Sequence, residues 1–102
     1  MTQFTNKEID LTGTTALVTG GGRGLGRGFA RALASSGANV VITSRSAEQL
    51  KETVDLISEE GGQALSVTAD VADPKQVEDV IANAIDMFGD IHLLVNNAGI
   101  LG

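Results

Sequence analysis

The chain has 102 residues, 42% of them apolar, a formal charge of −6 at pH 7 and no cysteine. That length suits one compact domain with a core, and the missing cysteines exclude disulfides and thiolate metal sites. The acidic balance argues against nucleic acid or an anionic membrane as partner, and the lone His92 cannot build a histidine-rich metal site. No apolar run approaches the ~18 residues of a membrane span, and the polar start carries no secretion signal, so a cytoplasmic protein is expected.

Residues 1–10 read as a flexible tail and residues 11–102 as one domain. Thr15–Thr19 is a short apolar run and forms the first expected strand. It leads straight into Thr19-Gly20-Gly21-Gly22-Arg23-Gly24-Leu25-Gly26, with a helix opening immediately afterwards. Leu25, Phe29, Ala32 and Leu33 recur at helical spacing as its apolar stripe, and Gly37 stops it. Asn39–Ser44, rich in β-branched residues, is the second strand. Ser46 with Gln49 forms a capping box for a second helix. Its stripe is Leu50, Val54 and Ile57, and Gly61-Gly62 closes it. Ala64–Thr68 is the third strand. Asp73 caps a third helix with Pro74 at its first position. Val77, Val80, Ile81, Ala84 and Phe88 form its stripe, and Gly89 ends it. His92–Asn96 is the fourth strand.

The order β-α-β-α-β-α-β forces crossovers between successive strands. It predicts a doubly wound, Rossmann-type α/β fold with a parallel sheet covered on both faces, of four strands and three helices.

The glycine-rich loop carries the functional signal. A helix N-terminus offers unpaired N–H groups and a partial positive charge, which suit a pyrophosphate. Glycines allow the backbone to approach it, and the last glycine allows the helix to pack closely on the strand. A tight strand-to-helix turn without ligand is the plainer alternative, but the βαβ context supports the binding role. A triphosphate-binding loop needs Lys and Ser/Thr after the last glycine, whereas Arg27 and Gly28 stand here.

The spacing Thr-Gly-x-x-x-Gly-x-Gly at residues 19–26 resembles the short-chain dehydrogenase/reductase family. Asn96-Asn97-Ala98-Gly99 after the fourth strand resembles its second hallmark, and Asp70-Val71 after the third strand a third. The resemblance implies a nicotinamide cofactor. Gly20, Gly22, Arg23, Gly24, Leu25 and Gly26 would face its pyrophosphate. Asp70 and Val71 would meet the adenine, although Asp70 also suits a plain turn. Asn97, Ala98 and Gly99 would line the nicotinamide ribose, and Asn96 would tie neighbouring backbone. Ser44 and Arg45 occupy the place near the adenosine ribose where an acidic residue would select NAD. Arg45, with Arg23 opposite, favours the 2′-phosphate of NADP(H), with NAD(H) also admitted. Arg27 and Arg31 read as solvated surface arginines, and His92 as structural or solvated.

In the family, a Tyr, a Lys three residues beyond it, a Ser and an Asn follow the Asn-Asn-Ala-Gly motif and perform the proton transfer. This sequence has no tyrosine and stops at Gly102. No catalytic residue can be assigned, no metal is called for, and the 102-residue chain alone is expected to be inactive. The expectation is a truncated, cofactor-binding part of an enzyme acting on a small molecule, with a carbonyl/alcohol pair of 3-oxoacyl thioester or sugar/polyol type as substrate. The complete enzyme would be a homo-oligomer. The alternative is a stand-alone NAD(P)-binding module, serving as a sensor or as half of a two-chain assembly.

Overall fold

The computed structural model describes residues 9–97. Seven elements follow one another: β1 (Thr15–Thr19), α1 (Gly24–Ser35), β2 (Asn39–Ser44), α2 (Ala47–Glu59), β3 (Gln63–Thr68), α3 (Pro74–Phe88) and β4 (Leu93–Asn96). The four strands form one parallel sheet in the order β3-β2-β1-β4. The expected doubly wound α/β architecture is the one observed. Strands three and four shift by one residue at their starts, to Gln63 and Leu93. Of the expected tail, only Ile9 and Asp10 belong to the described residues.

Every residue of β1 is buried. Helices on both sheet faces require this, because successive side chains of a strand point to opposite sides. On one face, Val18, Val40 and Ile42 meet Ala30 and Ala34 of α1 and Leu50 and Ile57 of α2. On the other, Leu17 and Val41 meet Ala69 and, from α3, Val80 and Ala84.

The helix ends follow local chemistry. Asp73 Oδ1 accepts from the Lys75 amide at 3.0 Å, with Pro74 opening α3. The capping box of α2 is half formed. Ser46 Oγ accepts from the Gln49 amide at 3.2 Å, but the Ser46 amide donates to Ser44 Oγ, also at 3.2 Å. The nearer serine hydroxyl takes the place of the Gln49 side chain.

The apolar stripe of α1 differs from expectation. Its buried residues are Gly26, Ala30 and Ala34, whereas Leu25 is 66% exposed and Phe29 41%. Small residues at every fourth position let the helix lie close to the sheet, and Leu25 and Phe29 are turned away from it, while Leu33 of the expected stripe packs half-buried against the core. The helix also begins at Gly24 rather than after Gly26, so Gly24, Leu25 and Gly26 form its first turn.

His92 ties the start of the sheet. Its amide donates to the Thr15 carbonyl at 2.9 Å, and its ring Nδ1 accepts from the Thr15 amide at 3.0 Å. The imidazole thereby substitutes for a strand partner at the edge remote from the glycine loop.

Candidate cofactor-binding cleft

Parallel strands carry ligands at their carboxyl ends, where neighbouring connections diverge to opposite faces. Here β1 is that point: its chain continues into α1 on one face, while β4 lies on its other side. An open cleft of about 1270 Å³ crosses these ends.

The glycine loop forms one wall. The Gly20 and Gly21 amides donate to the Thr43 carbonyl at 2.8 and 3.3 Å, which fastens the loop to the end of β2. Gly20 turns the chain with φ 70°, a conformation that a side chain disfavours. Gly26 in the first turn of α1 faces the Gly20 carbonyl so closely that a Cβ there would lie 1.9 Å from its oxygen. A Cβ on Gly22 would come within 3.0 Å of Gln49 Cβ and 3.1 Å of Ser44 Oγ. The loop and the β2–α2 turn are therefore in direct contact.

That turn forms the second wall, with Ser44, Arg45, Ser46 and Gln49. Arg23 and Arg45 are both exposed and both line the cleft. Neither takes part in an ion pair among the described residues. Two cations without an ion-pair partner among the described residues thus line the cleft of a chain of net charge −6.

The end of β3 forms the third side. The Asp70 amide donates to Gln76 Oε1 at 2.8 Å, and Asp70 Oδ1 accepts from the Ala72 amide at 2.9 Å. One carboxylate oxygen is thus spent on the local turn, while Asp70 and Val71 remain on the cleft surface.

The end of β4 closes the far side. The Asn97 amide donates to Thr19 Oγ1 at 2.9 Å, and the Thr19 hydroxyl reaches Asn96 Oδ1 at 3.1 Å. Asn97 Nδ2 approaches the Gly20 carbonyl at 3.4 Å. Among the described residues, the Asn96 side chain bonds the Thr19 hydroxyl. Ala98 and Gly99 lie outside the described residues. All eleven other residues expected at the site belong to the cleft or, for Gly26, to the helix turn that supports it.

Three features escaped the sequence. Thr19 links β1 to both asparagines. Gln49 lines the cleft, although its spacing spoke only for a cap. Arg27, expected on the solvated surface, is instead bonded to Gly22, Gln49, Glu52 and Thr53. Its partners are brought to it by the packing of α1 on α2, which helical spacing within α1 does not disclose. Arg31 does lie at the surface, paired with Glu60, the residue that caps the end of α2.

A parallel sheet with a glycine-rich β1–α1 loop over its carboxyl ends defines a dinucleotide-binding class of α/β fold. Comparison with known proteins fixes the family. The short chain dehydrogenase profile matches residues 14–102. Ketoacyl reductase HetN of Nostoc sp. is 44% identical over 90 residues, covering 88% of this chain and 31% of HetN. The short-chain dehydrogenase/reductase homolog YusS of Bacillus subtilis is 44% identical over 86 residues, covering 83% of this chain and 79% of YusS. Among solved structures, an F189W actinorhodin polyketide ketoreductase with NADPH superposes with a TM-score of 0.81 at 33% identity, covering 95% of this chain and 35% of that one. The chain belongs to the short-chain dehydrogenase family, whose members are oxidoreductases that bind a nicotinamide dinucleotide. It spans about a third of HetN and of the ketoreductase, and most of YusS. Among the described residues, no helix is long and apolar enough to cross a membrane.

Proposed function

We propose that the chain is the cofactor-binding portion of an NADP(H)-dependent oxidoreductase that interconverts a carbonyl and an alcohol. One observation carries the cofactor preference. Arg23 and Arg45, both without an ion-pair partner among the described residues, line the same cleft, and each is next in sequence to a residue, Gly22 or Ser44, at which the glycine loop meets the end of β2. A guanidinium fork matches a phosphate, and β2 ends on Ser44 rather than on a carboxylate that would hold ribose hydroxyls.

The chemistry of the walls suits the whole dinucleotide. The loop Gly20–Gly26 and the first turn of α1 would hold the pyrophosphate, with the partial positive charge of the helix end directed at it. Asp70 has one carboxylate oxygen outside its local turn, available to an adenine amino group, with Val71 beside it. Asn97, held by Thr19, would meet the nicotinamide ribose together with Ala98 and Gly99. When bound, the dinucleotide supplies or accepts the hydride. The chain's own residues bind it, orient it and hold its charged end. The ketoacyl reductase and polyketide ketoreductase relatives support a 3-oxoacyl thioester type of substrate over a sugar or polyol.

The test is titration of the chain with NADPH and with NADH at matched low salt. The expected result is an affinity for NADPH higher by about ten-fold or more, the value of one charge-assisted contact to a phosphate. Equal affinities would remove the preference, and absence of both bindings by a folded chain would remove the site.

A further inference from the structure

Arg27 stands one turn beyond the glycine loop, with its side chain 25% exposed. Its Nε donates to Thr53 Oγ1 at 2.9 Å. Its Nη2 donates to the Gly22 carbonyl at 2.6 Å, with the Gln49 carbonyl at 3.2 Å and Glu52 Oε1 at 3.0 Å also within reach. Thr53, in the middle of α2, is 0% exposed. Its hydroxyl accepts from Arg27 and has one proton to give. The Gly21 carbonyl lies at 3.0 Å, the Gln49 carbonyl at 3.2 Å and the Gly22 carbonyl at 3.3 Å.

Two side chains thus gather carbonyls from both walls of the cleft, Gly21 and Gly22 from the loop and Gln49 from the first turn of α2. A peptide unit is planar, and its C=O points opposite to the following N–H. Fixing the Gly21 and Gly22 carbonyls toward α2 therefore directs the Gly22 and Arg23 amides away from it. Neither amide has a backbone partner among the described residues. The same contact fixes how far the loop stands from Ser44 and Arg45, which precede α2 by one turn.

We propose that Arg27 and Thr53 are positioning residues that clamp the glycine loop to α2 and thereby set how strongly the cleft discriminates a nicotinamide dinucleotide with a 2′-phosphate from one without. The discrimination rests on the cofactor preference proposed above, whereas the clamp itself does not.

Thr53→Val keeps the shape and removes the hydroxyl, and Thr53→Ser restores it. Two quantities separate positioning from mere stability in the 102-residue chain. The first is the backbone order of Gly21–Arg23 from ¹⁵N relaxation without cofactor. The second is the ratio of NADPH to NADH affinity. Thr53→Val is expected to lower the order of the loop and to reduce the ratio by about three- to ten-fold, the worth of one or two hydrogen bonds, while Thr53→Ser keeps both near the parent values. A folded Thr53→Val with lowered thermal stability but unchanged loop order and ratio would overturn the proposal. If the parent shows no preference for NADPH, the cofactor reading fails, and loop order alone then decides the clamp. Should Thr53→Val not fold, Arg27→Lys keeps the charge and loses the fork, and is judged by the same two quantities.

Discussion

Gly26 and Gly20 touch through backbone: a Cβ on Gly26 would lie 1.9 Å from the Gly20 carbonyl oxygen and 2.6 Å from its carbon. No flexible side chain can yield there, so either α1 or the end of β1 must move. Gly26→Ala is expected to cost about 1–3 kcal/mol, as overpacking of a close contact does, and to abolish binding of NADPH. Gly28→Ala is the control, because a Cβ on Gly28 meets nothing within 4 Å. It is expected to stabilise the helix by up to about 1 kcal/mol through helix propensity and to leave binding unchanged. Thermal melts and titrations of both variants decide the matter.

Arg45→Ala removes one cation from the rim of the cleft. NADPH affinity is expected to fall by about ten-fold or more, the worth of a charge-assisted hydrogen bond, with NADH affinity nearly unchanged. The salt dependence of NADPH binding should weaken at the same time, since one fewer exposed charge is screened. A parallel loss for both cofactors would mean that Arg45 shapes the turn rather than reads the phosphate.

Thr15 is 1% exposed, and its hydroxyl oxygen is buried without a hydrogen-bond partner among the described residues. An unpaired buried hydroxyl is unfavourable, and valine has nearly the same shape and suits a strand. Thr15→Val is expected to raise stability by about 1 kcal/mol, read as a higher midpoint in urea with an unchanged slope. A lower midpoint would show that the hydroxyl has a partner after all.

Arg31 and Glu60 form an exposed pair joining α1 to the end of α2. The hydrogen bond from Arg31, aided by its charge, holds the Glu60 carboxyl below its ordinary value. A carboxyl depressed in the folded chain stabilises fully above the ordinary glutamate value of about 4.3, and that contribution is lost as pH falls through the depressed value. Glu60→Gln should therefore melt slightly below the parent at pH 7, and the gap should narrow progressively as pH falls below the ordinary glutamate value, and in high salt. A gap that does not change with pH or salt would point to packing rather than charge.

The centre of the sheet was legible because β1 and β2 are buried on both faces: Thr15–Thr19 and Asn39–Ser44 are apolar runs too short for helices and bounded by turns. Helix α1 was misread because burial there follows size. Gly26, Ala30 and Ala34 carry little hydrophobic signal, while Leu25 and Phe29 carry much and stand outside. Arg27 was misread for a related reason. Its neighbours in sequence say nothing of Thr53, which is 26 positions away. A signal did exist: Thr53 is a polar residue in register with Leu50 and Ile57 on the buried stripe of α2, and a buried hydroxyl demands a partner. The motifs named residues that the fold gathers along one cleft, but the contact between the loop and the β2–α2 turn was not legible, since it depends on how α1 and α2 pack.

The bond between Thr19 and Asn96 joins residues 77 apart in sequence, about three times the separation bridged when β1 pairs with β2. Closing the longer loop costs about 1 kcal/mol more in chain entropy, and parallel pairings of this range form slowly. The β1–β2 pair with α1 and α2 can assemble from nearer segments, bringing the glycine loop and its arginines together early. Asn97 reaches Thr19 only when β4 arrives. In time as well as in space the cleft is therefore built in two instalments, and during refolding the end formed by the glycine loop and the β2–α2 turn should be in place before the end formed by Thr19, Asn96 and Asn97.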